Sequence, residues 1–276
     1  MKKIILLAFS IAILSIMACS EKPELGRPNV DFKNIEKDYT KWWTYHYNNI
    51  ILSSDFIAID NSSNIISKDD FLRKLTSGDF IPLKLISKDS SIYYKLFKLD
   101  QTSDNAIRGT IKSTSANDYK NVKMEGKDFP KFNFKDLNGV EYNNENTKGK
   151  IVVIKCWFIA CAACVAEFPE LNELVGKYEN RNDIVFISLA FDSEKKINQF
   201  LSQKTFKYSV VADQENFLRK ELGIGMYPTH LIIDRNGIIK KVINSADELI
   251  LTLRVQKSLN LNNTQNLPPP PPTILK

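Results

Sequence analysis

Two cysteines, Cys161 and Cys164, follow shortly after a largely apolar run over residues 151–158. The run predicts a buried strand over 151–158, and a helix is predicted from residue 161, so the pair lies at a strand-turn-helix junction. The first turn of a helix offers unpaired N–H groups and a partial positive charge, which stabilise a thiolate. With two residues between them, Cys164 can reach the sulfur of Cys161 and resolve a mixed disulfide internally. The pair therefore predicts dithiol-disulfide chemistry.

A metal site and a structural disulfide are the alternative interpretations of such a pair. A structural zinc site needs four ligands, but the chain contains four cysteines and the two histidines His46 and His230, with no second closely spaced pair. We therefore expect neither a metal nor another cofactor. A structural disulfide is disfavoured because a loop this short constrains the unfolded chain little.

A second signal lies at Tyr227-Pro228-Thr229, where an apolar run opens with a proline. Proline is tolerated at the first position of a strand, and a turn of this kind also admits a cis peptide bond. The sequence thus permits a cis bond before Pro228 without requiring it.

The elements that position these two signals alternate between strands and helices from Phe129 onwards. Such alternation favours a mostly parallel sheet covered by helices. The predicted strands are 131–135, 151–158, 184–191, 208–212, 229–234 and 237–243. The predicted helices are 161–177, 194–203, 215–222 and 246–258.

Residues 125–258 resemble the thioredoxin fold and, within it, the TlpA/ResA-like extracytoplasmic thiol-disulfide oxidoreductases. The resemblance rests on motifs at the two signals and at the start of this region. These motifs are Trp157 with the Cys161/Cys164 pair, Glu167-Phe168-Pro169, Tyr227-Pro228-Thr229, Phe129-Pro130-Lys131-Phe132 and Asp136-Leu137-Asn138-Gly139. They imply an α/β chain with a thioredoxin-like fold, in which helices cover a central mixed sheet. A small α+β domain that the resemblance does not cover would precede it.

The resemblance also implies roles for the motif residues. Cys161 would be the exposed attacking thiol and Cys164 the buried resolving thiol. Pro228 would be a cis-proline packed beside the disulfide, and Pro169 would kink the active-site helix. The substrate-binding residues would be Trp157, Tyr227 and Thr229, with the backbone of Tyr227 free to pair with a substrate strand.

Glu167 matches an acidic residue that the family carries near the resolving cysteine. A buried carboxylate there could accept the proton of Cys164, because desolvation raises its pKa towards neutrality. Lys155 departs from the family pattern, since thioredoxins have a buried Asp at this position. Strand alternation places Lys155 on the face of Trp157, and a buried lysine needs a partner. We expect an ion pair with Glu167 that biases both thiols towards thiolate; alternatively, Lys155 extends its amine to the surface.

Three further features near the cysteine pair are a third cysteine, a histidine and the dipeptide between the two cysteines. Cys156 alternates away from Lys155, so we expect a buried and unreactive thiol. His230 is expected to be packed in its strand and not catalytic. The dipeptide Ala162-Ala163 contains neither proline nor charge, and the redox potential cannot be inferred from it.

Residues 31–120 form the predicted first domain. Phe32, Ile35, Tyr39 and Trp42 follow helical spacing, whereas the aromatic residues of 43–47 alternate like a strand, and both interpretations stay open. Ser67 predicts the start of a helix that ends before Gly78. The runs 80–86, 91–99 and 105–112 alternate and predict an antiparallel meander.

The two ends of the chain carry separate signals. Residues 1–18 have the basic start and apolar run of a signal peptide, and the run is too short to span a bilayer. Ile16-Met17-Ala18-Cys19 resembles a lipobox, which implies a lipid on Cys19; the alternative is ordinary signal-peptide cleavage. Residues 19–30 would form a tether, and the Pro-rich tail 259–276 an exposed polyproline segment.

The charge distribution and the motifs together predict the partners and the location of the protein. The net charge of +6 over 276 residues is spread without an Arg-rich block, so nucleic acid is not an expected partner. We expect protein disulfide substrates, a transmembrane electron donor of the thiol-disulfide type, and a lipid-anchored location in the bacterial cell envelope. The alternatives are a peroxiredoxin-like thiol peroxidase, disfavoured by Phe158 where a Thr or Ser is needed, and a ligand-binding lipoprotein.

Overall fold

The computed structural model describes residues 26–254. The helices are α1 (Phe32–Ile35), α2 (Tyr39–Asn49), α3 (Lys68–Leu75), α4 (Asn105–Met124), α5 (Ala162–Ala166), α6 (Phe168–Lys177), α7 (Glu194–Leu201) and α8 (246–254), with one π-helical turn at Phe217–Glu221. The strands are β1 (Ile57–Ile59), β2 (Ile65–Ile66), β3 (Phe80–Lys84), β4 (Tyr93–Lys98), β5 (Asn133–Lys135), β6 (Glu141–Asn143), β7 (Ile151–Trp157), β8 (Ile184–Ala190), β9 (Ser209–Val211), β10 (Thr229–Ile233) and β11 (Ile239–Ile243).

Several predictions for the chain ends lie outside the described residues. These are the signal peptide 1–18, the lipidation site Cys19, most of the tether 19–30, the end of the helix 246–258 and the tail 259–276. Within 26–254, no helix is both long enough and apolar enough to cross a membrane.

The first part of the chain folds around a four-stranded sheet with the strand order β2-β1-β4-β3. Helix α2 contributes to the core of this part: Asp38 caps it, and Trp42 and Tyr45 are buried while Tyr47 is exposed. The helical spacing of the early aromatic residues therefore prevails over their strand-like alternation. The helix predicted at Ser67 is confirmed, because the Ser67 side chain accepts a hydrogen bond from the backbone N–H of Asp70.

The predicted meander is only partly correct. Strands β3 and β4 pair antiparallel as expected, but β1 joins β4 in parallel and residues 105–112 are the start of α4. The alternation of Ile107 and Ile111 with polar residues is equally a four-residue spacing, which places both on one face of a helix. Asp104 caps this helix, and both isoleucines are fully buried, so the helical period is the one that forms a core.

The second part has the thioredoxin-like architecture that the sequence predicts. Its five-stranded mixed sheet has the order β11-β10-β7-β8-β9, with β7, β8 and β9 parallel and β10 antiparallel to both neighbours. Helices α6 and α8 cover one face, and the π-helical turn packs on the other. The helix predicted over 161–177 is interrupted at Glu167, where Pro169 enters the first turn of α6. The cysteine pair follows the C-terminal end of the central strand β7. It lies beside the start of β10, because β10 pairs antiparallel with β7 and places Thr229 opposite Cys156.

Helix α4 joins the two parts along the edge of this sheet. After it ends, the backbone N–H of Gly126 donates to the carbonyl of Ile239 at 2.8 Å, and the N–H of Ile239 donates to the carbonyl of Lys127 at 2.9 Å. The first part of the chain therefore lies against edge strand β11, which pairs with the strand that begins at Thr229.

Candidate redox site

The two cysteines form a disulfide at the start of α5, with 5.2 Å between their Cα atoms. Cys161 is the N-cap residue of this helix, and its Sγ accepts a hydrogen bond from the backbone N–H of Cys164 at 3.2 Å. In the reduced form the same N–H can stabilise a thiolate at Cys161. Cys161 is largely buried, at 8% exposure, and Cys164 is fully buried. Of the two residues, only Cys161 therefore retains contact with solvent, which is less exposure than the sequence implied for the attacking thiol.

The peptide bond between Tyr227 and Pro228 is cis. The Tyr227 ring makes edge-on contacts with Phe158 and Phe191, at centroid distances of 5.6 and 4.9 Å, and packs against the cluster that contains both cysteines. The carbonyl of Pro228 accepts a hydrogen bond from Asn244 at 2.9 Å. This loop therefore lies next to the disulfide.

A buried charged group lies in the same unit, on the α6 face of the sheet. Lys155 is fully buried, and its Nζ hydrogen-bonds Oε2 of Glu167. Nε2 of His230 lies 3.1 Å from the same oxygen, and Oε1 accepts the backbone N–H of Ala246 at 2.9 Å. The predicted ion pair is present, and Lys155 does not extend to the surface.

The protonation of Glu167 differs from the sequence expectation. Burial raises its pKa, but the hydrogen bond from His230 and the charge of Lys155 outweigh burial, and the net pKa lies below the usual range. The expectation of a pKa raised towards neutrality is therefore wrong. Burial lowers the pKa of Lys155 and of His230. Because an ionised carboxylate only accepts hydrogen bonds, a neutral His230 donates through Nε2.

His230 is the member of this group that sequence reasoning missed. It was expected to be packed only, and it is indeed fully buried, but it also contacts Glu167. The sequence alone gives no signal for this contact, because it depends on the strand register: His230 stands opposite Lys155 in the antiparallel pairing of β10 with β7. Side chains that face each other across two strands lie on the same face of the sheet.

Two predicted substrate-binding residues are placed beneath the surface. The Trp157 side chain is fully buried, with its ring centroid 5.0 Å from that of Phe168. Thr229 is 1% exposed, and its hydroxyl donates to the carbonyl of Met226 at 2.7 Å. The structure therefore corrects their assignment: Trp157 supports the helix that carries the cysteines, and Thr229 fixes the cis-proline loop, so neither presents a surface to a substrate.

The remaining candidates lie apart from the disulfide. Cys156 is a free, fully buried thiol whose pKa is raised by burial, in accord with the predicted lack of reactivity. His46 belongs to α2 in the first part of the chain. Across residues 26–254, no three His, Cys, Asp or Glu side chains come together as a group that could hold a metal ion.

Comparison with known proteins places the second part of the chain in a family. The AhpC/TSA family matches residues 126–242. The thioredoxin domain of a thiol-disulfide oxidoreductase from Bacteroides vulgatus superimposes with a TM-score of 0.43 at 21% identity, covering 47% of this chain and 95% of that domain. The thiol-disulfide oxidoreductase ResA of Bacillus cereus is 29% identical over 48% of this chain and 77% of the relative. ResA of Bacillus thuringiensis subsp. konkukian is 32% identical over 43% of this chain and 69% of the relative. At this identity and coverage, the chain belongs to the ResA family of thiol-disulfide oxidoreductases.

Proposed function

We propose that this protein reduces disulfides of protein substrates through Cys161 and Cys164. The observation that carries the proposal is the disulfide of Cys161 and Cys164 beside the cis-proline loop, in which Cys161 alone retains some exposure to solvent. The Cys161 thiolate attacks a substrate disulfide, forms a mixed disulfide and releases one substrate thiolate. The Cys164 thiolate then attacks Sγ of Cys161, releases the second substrate thiolate and leaves the enzyme as the disulfide. A dithiol donor returns the two electrons.

The contacts of Glu167 favour a positioning role over a role as the base for Cys164. Both carboxylate oxygens already accept hydrogen bonds, from Lys155 and His230 on one side and from Ala246 on the other. Its lowered pKa also makes it a weaker base than the sequence implied. In this proposal Glu167 holds the Lys155 ammonium in the interior, and the positive charge favours the thiolate form of the cysteines.

The cellular setting is part of the proposal and rests on the sequence. The signal peptide and the lipobox-like Ile16-Met17-Ala18-Cys19 support a lipid anchor on Cys19 in the cell envelope. Electrons would then come from a transmembrane thiol-disulfide donor, because the envelope is an oxidising compartment. We further propose that residues 31–120 form one domain and residues 125–258 the redox domain.

Insulin reduction tests the mechanism. Cys161→Ser is expected to abolish turnover, because the attacking thiol is lost. Cys164→Ser should still attack but accumulate mixed disulfides, which non-reducing electrophoresis detects. Equal residual turnover in the two variants would contradict the roles assigned here. Consumption of hydrogen peroxide without insulin reduction would favour the thiol peroxidase instead.

A further inference from the structure

The first part of the chain is hydrogen-bonded to the cis-proline loop through three asparagines. On α4, the Nδ2 groups of Asn117 and Asn121 donate to Oδ1 of Asn244, at 2.9 and 2.7 Å. Nδ2 of Asn244 donates to the carbonyl of Pro228 at 2.9 Å. A unit that carries no redox chemistry of its own therefore holds the loop beside which a substrate must lie.

A cavity of about 210 Å³ lies between the two parts, next to this loop. At about 30 Å³ per water molecule, it has room for about seven waters, or for one long side chain. Trp43 and Met226 line it and are 38% and 37% exposed, which places them at its mouth. Met226 precedes Tyr227, whose ring packs towards the cysteines, so one short segment borders both the redox centre and the cavity.

The lining of the cavity is acidic, and two of its polar groups have no hydrogen-bond partner among the described residues. Asp118 and Glu248 line it, and its lining contains no lysine or arginine. Glu248 accepts a hydrogen bond from Ser53, whereas the Asp118 carboxyl makes no hydrogen bond or ion pair within residues 26–254. His46 also lines the cavity, and its Nδ1 is enclosed without a hydrogen-bond partner among the described residues.

Among residues 26–254, no cationic group is hydrogen-bonded or ion-paired to Asp118. Lys68 acts on Asp118 through space, but its Nζ donates to the carbonyls of Ser53 and Ser54 at 3.2 and 2.8 Å. Burial and the charge of Glu248 raise the pKa of Asp118 to about 7. Burial lowers the pKa of His46 to about 4, so the imidazole is neutral at pH 7 and adds no positive charge.

We propose that this cavity is a subsite for one positively charged side chain, lysine or arginine, of the substrate protein bound beside the cis-proline loop. The alkyl part of such a side chain packs between Trp43 and Met226, and its cationic end reaches the unpaired carboxyl of Asp118. The proposal rests on the disulfide-reductase function given above. It assigns to the first part of the chain a role in substrate selection.

The test uses three synthetic peptides, each with one intramolecular disulfide and with lysine, norleucine or glutamate next to the reducible cysteine on either side. The wild-type protein should reduce the lysine peptide with a kcat/KM about tenfold above that of the norleucine peptide, with the glutamate peptide slowest. This comparison requires no variant. Equal rates for the three peptides would overturn the subsite, whereas failure to reduce any of them would overturn the proposed function itself.

Variants then test which residues are responsible for the preference for the lysine peptide. Asp118→Asn should lower the ratio of kcat/KM for the lysine peptide to kcat/KM for the norleucine peptide to about twofold or less, and Glu248→Gln should lower this ratio by a smaller factor. The matched control is Asp79→Asn, because Asp79 belongs to the first part of the chain but lines a different cavity. A lysine preference that survives in both Asp118→Asn and Glu248→Gln would show that the cation is recognised elsewhere.

Discussion

Each part of the molecule pairs a glutamate with a lysine, and the two pairs lie in different surroundings. Glu36 in the first part is fully buried, but its ion-pair partner Lys33 has a side chain that is 68% exposed. Glu167 in the second part faces Lys155 and His230, whose side chains are both fully buried. If Glu36 is removed, Lys33 can turn to water; if Glu167 is removed, the Lys155 ammonium cannot. A buried charge with an exposed partner ties helices together, whereas a buried charge with buried partners sets the electrostatics of a site.

The largest expected effect is therefore on stability. Glu167→Gln should lower the free energy of unfolding by about 3–5 kcal/mol, because it leaves an uncompensated charge in the interior. Glu36→Gln should cost only about 1–2 kcal/mol, because it weakens the bonds to Lys33 and Ser103 without stranding a charge. Urea unfolding of the reduced proteins measures both. Equal losses would refute the distinction between the two glutamates.

Features that depend on local residue spacing could be predicted from the sequence. Contacts that depend on how distant strands pair could not. Strand alternation, which places Lys155 inside, and the family resemblance, which implies an acidic residue at Glu167, were enough to predict their pairing. The contact of His230 with the same carboxylate depends on the register of β10 against β7, which one sequence does not contain. The pKa of Glu167 was predicted in the wrong direction for the same reason, since the hydrogen bond from His230 helps to lower it. Residues 105–112 were predicted as a strand because Ile107 and Ile111 satisfy both periods.

A double-mutant cycle sharpens the comparison within the buried group. If Lys155 and Glu167 depend on each other, Lys155→Met combined with Glu167→Gln should be about 2 kcal/mol less destabilising than the sum of the single changes. The corresponding cycle with Lys33→Met and Glu36→Gln should give a clearly smaller interaction energy, because exposed partners couple weakly. Chemical denaturation of the four species in each cycle gives both values. An interaction energy near zero for the buried pair would mean that the two residues act independently.

The pH dependence of stability tests the same distinction. The pKa of Glu167 is lower in the folded state than its ordinary value of 4.5, so its stabilising contribution is present above pH 4.5 and is lost as pH falls through the folded-state pKa. The stability gap between wild type and Glu167→Gln should therefore narrow as pH falls from 6 to 3. Urea midpoints across this range measure the gap. A gap that is constant, or that widens in acid, would show that Glu167 is not ionised in the folded protein.

The smallest expected effect is kinetic, and it separates positioning from mere stabilisation. In the mechanism proposed above, an ionised Glu167 keeps the Lys155 ammonium in place, and that charge favours the thiolate of Cys164, which resolves the mixed disulfide. Glu167→Gln should slow this release about threefold at pH 7, and the deficit should shrink at higher pH, where Cys164 deprotonates without assistance. Rapid-quench analysis of a preformed mixed disulfide measures the rate.

Glu36→Gln is the control and should leave both the rate and its pH dependence unchanged, because its carboxylate lies in the other part of the chain. A release rate that falls equally at all pH values in Glu167→Gln would mean that the residue only stabilises the fold and that the charged group does not act on the resolving thiol.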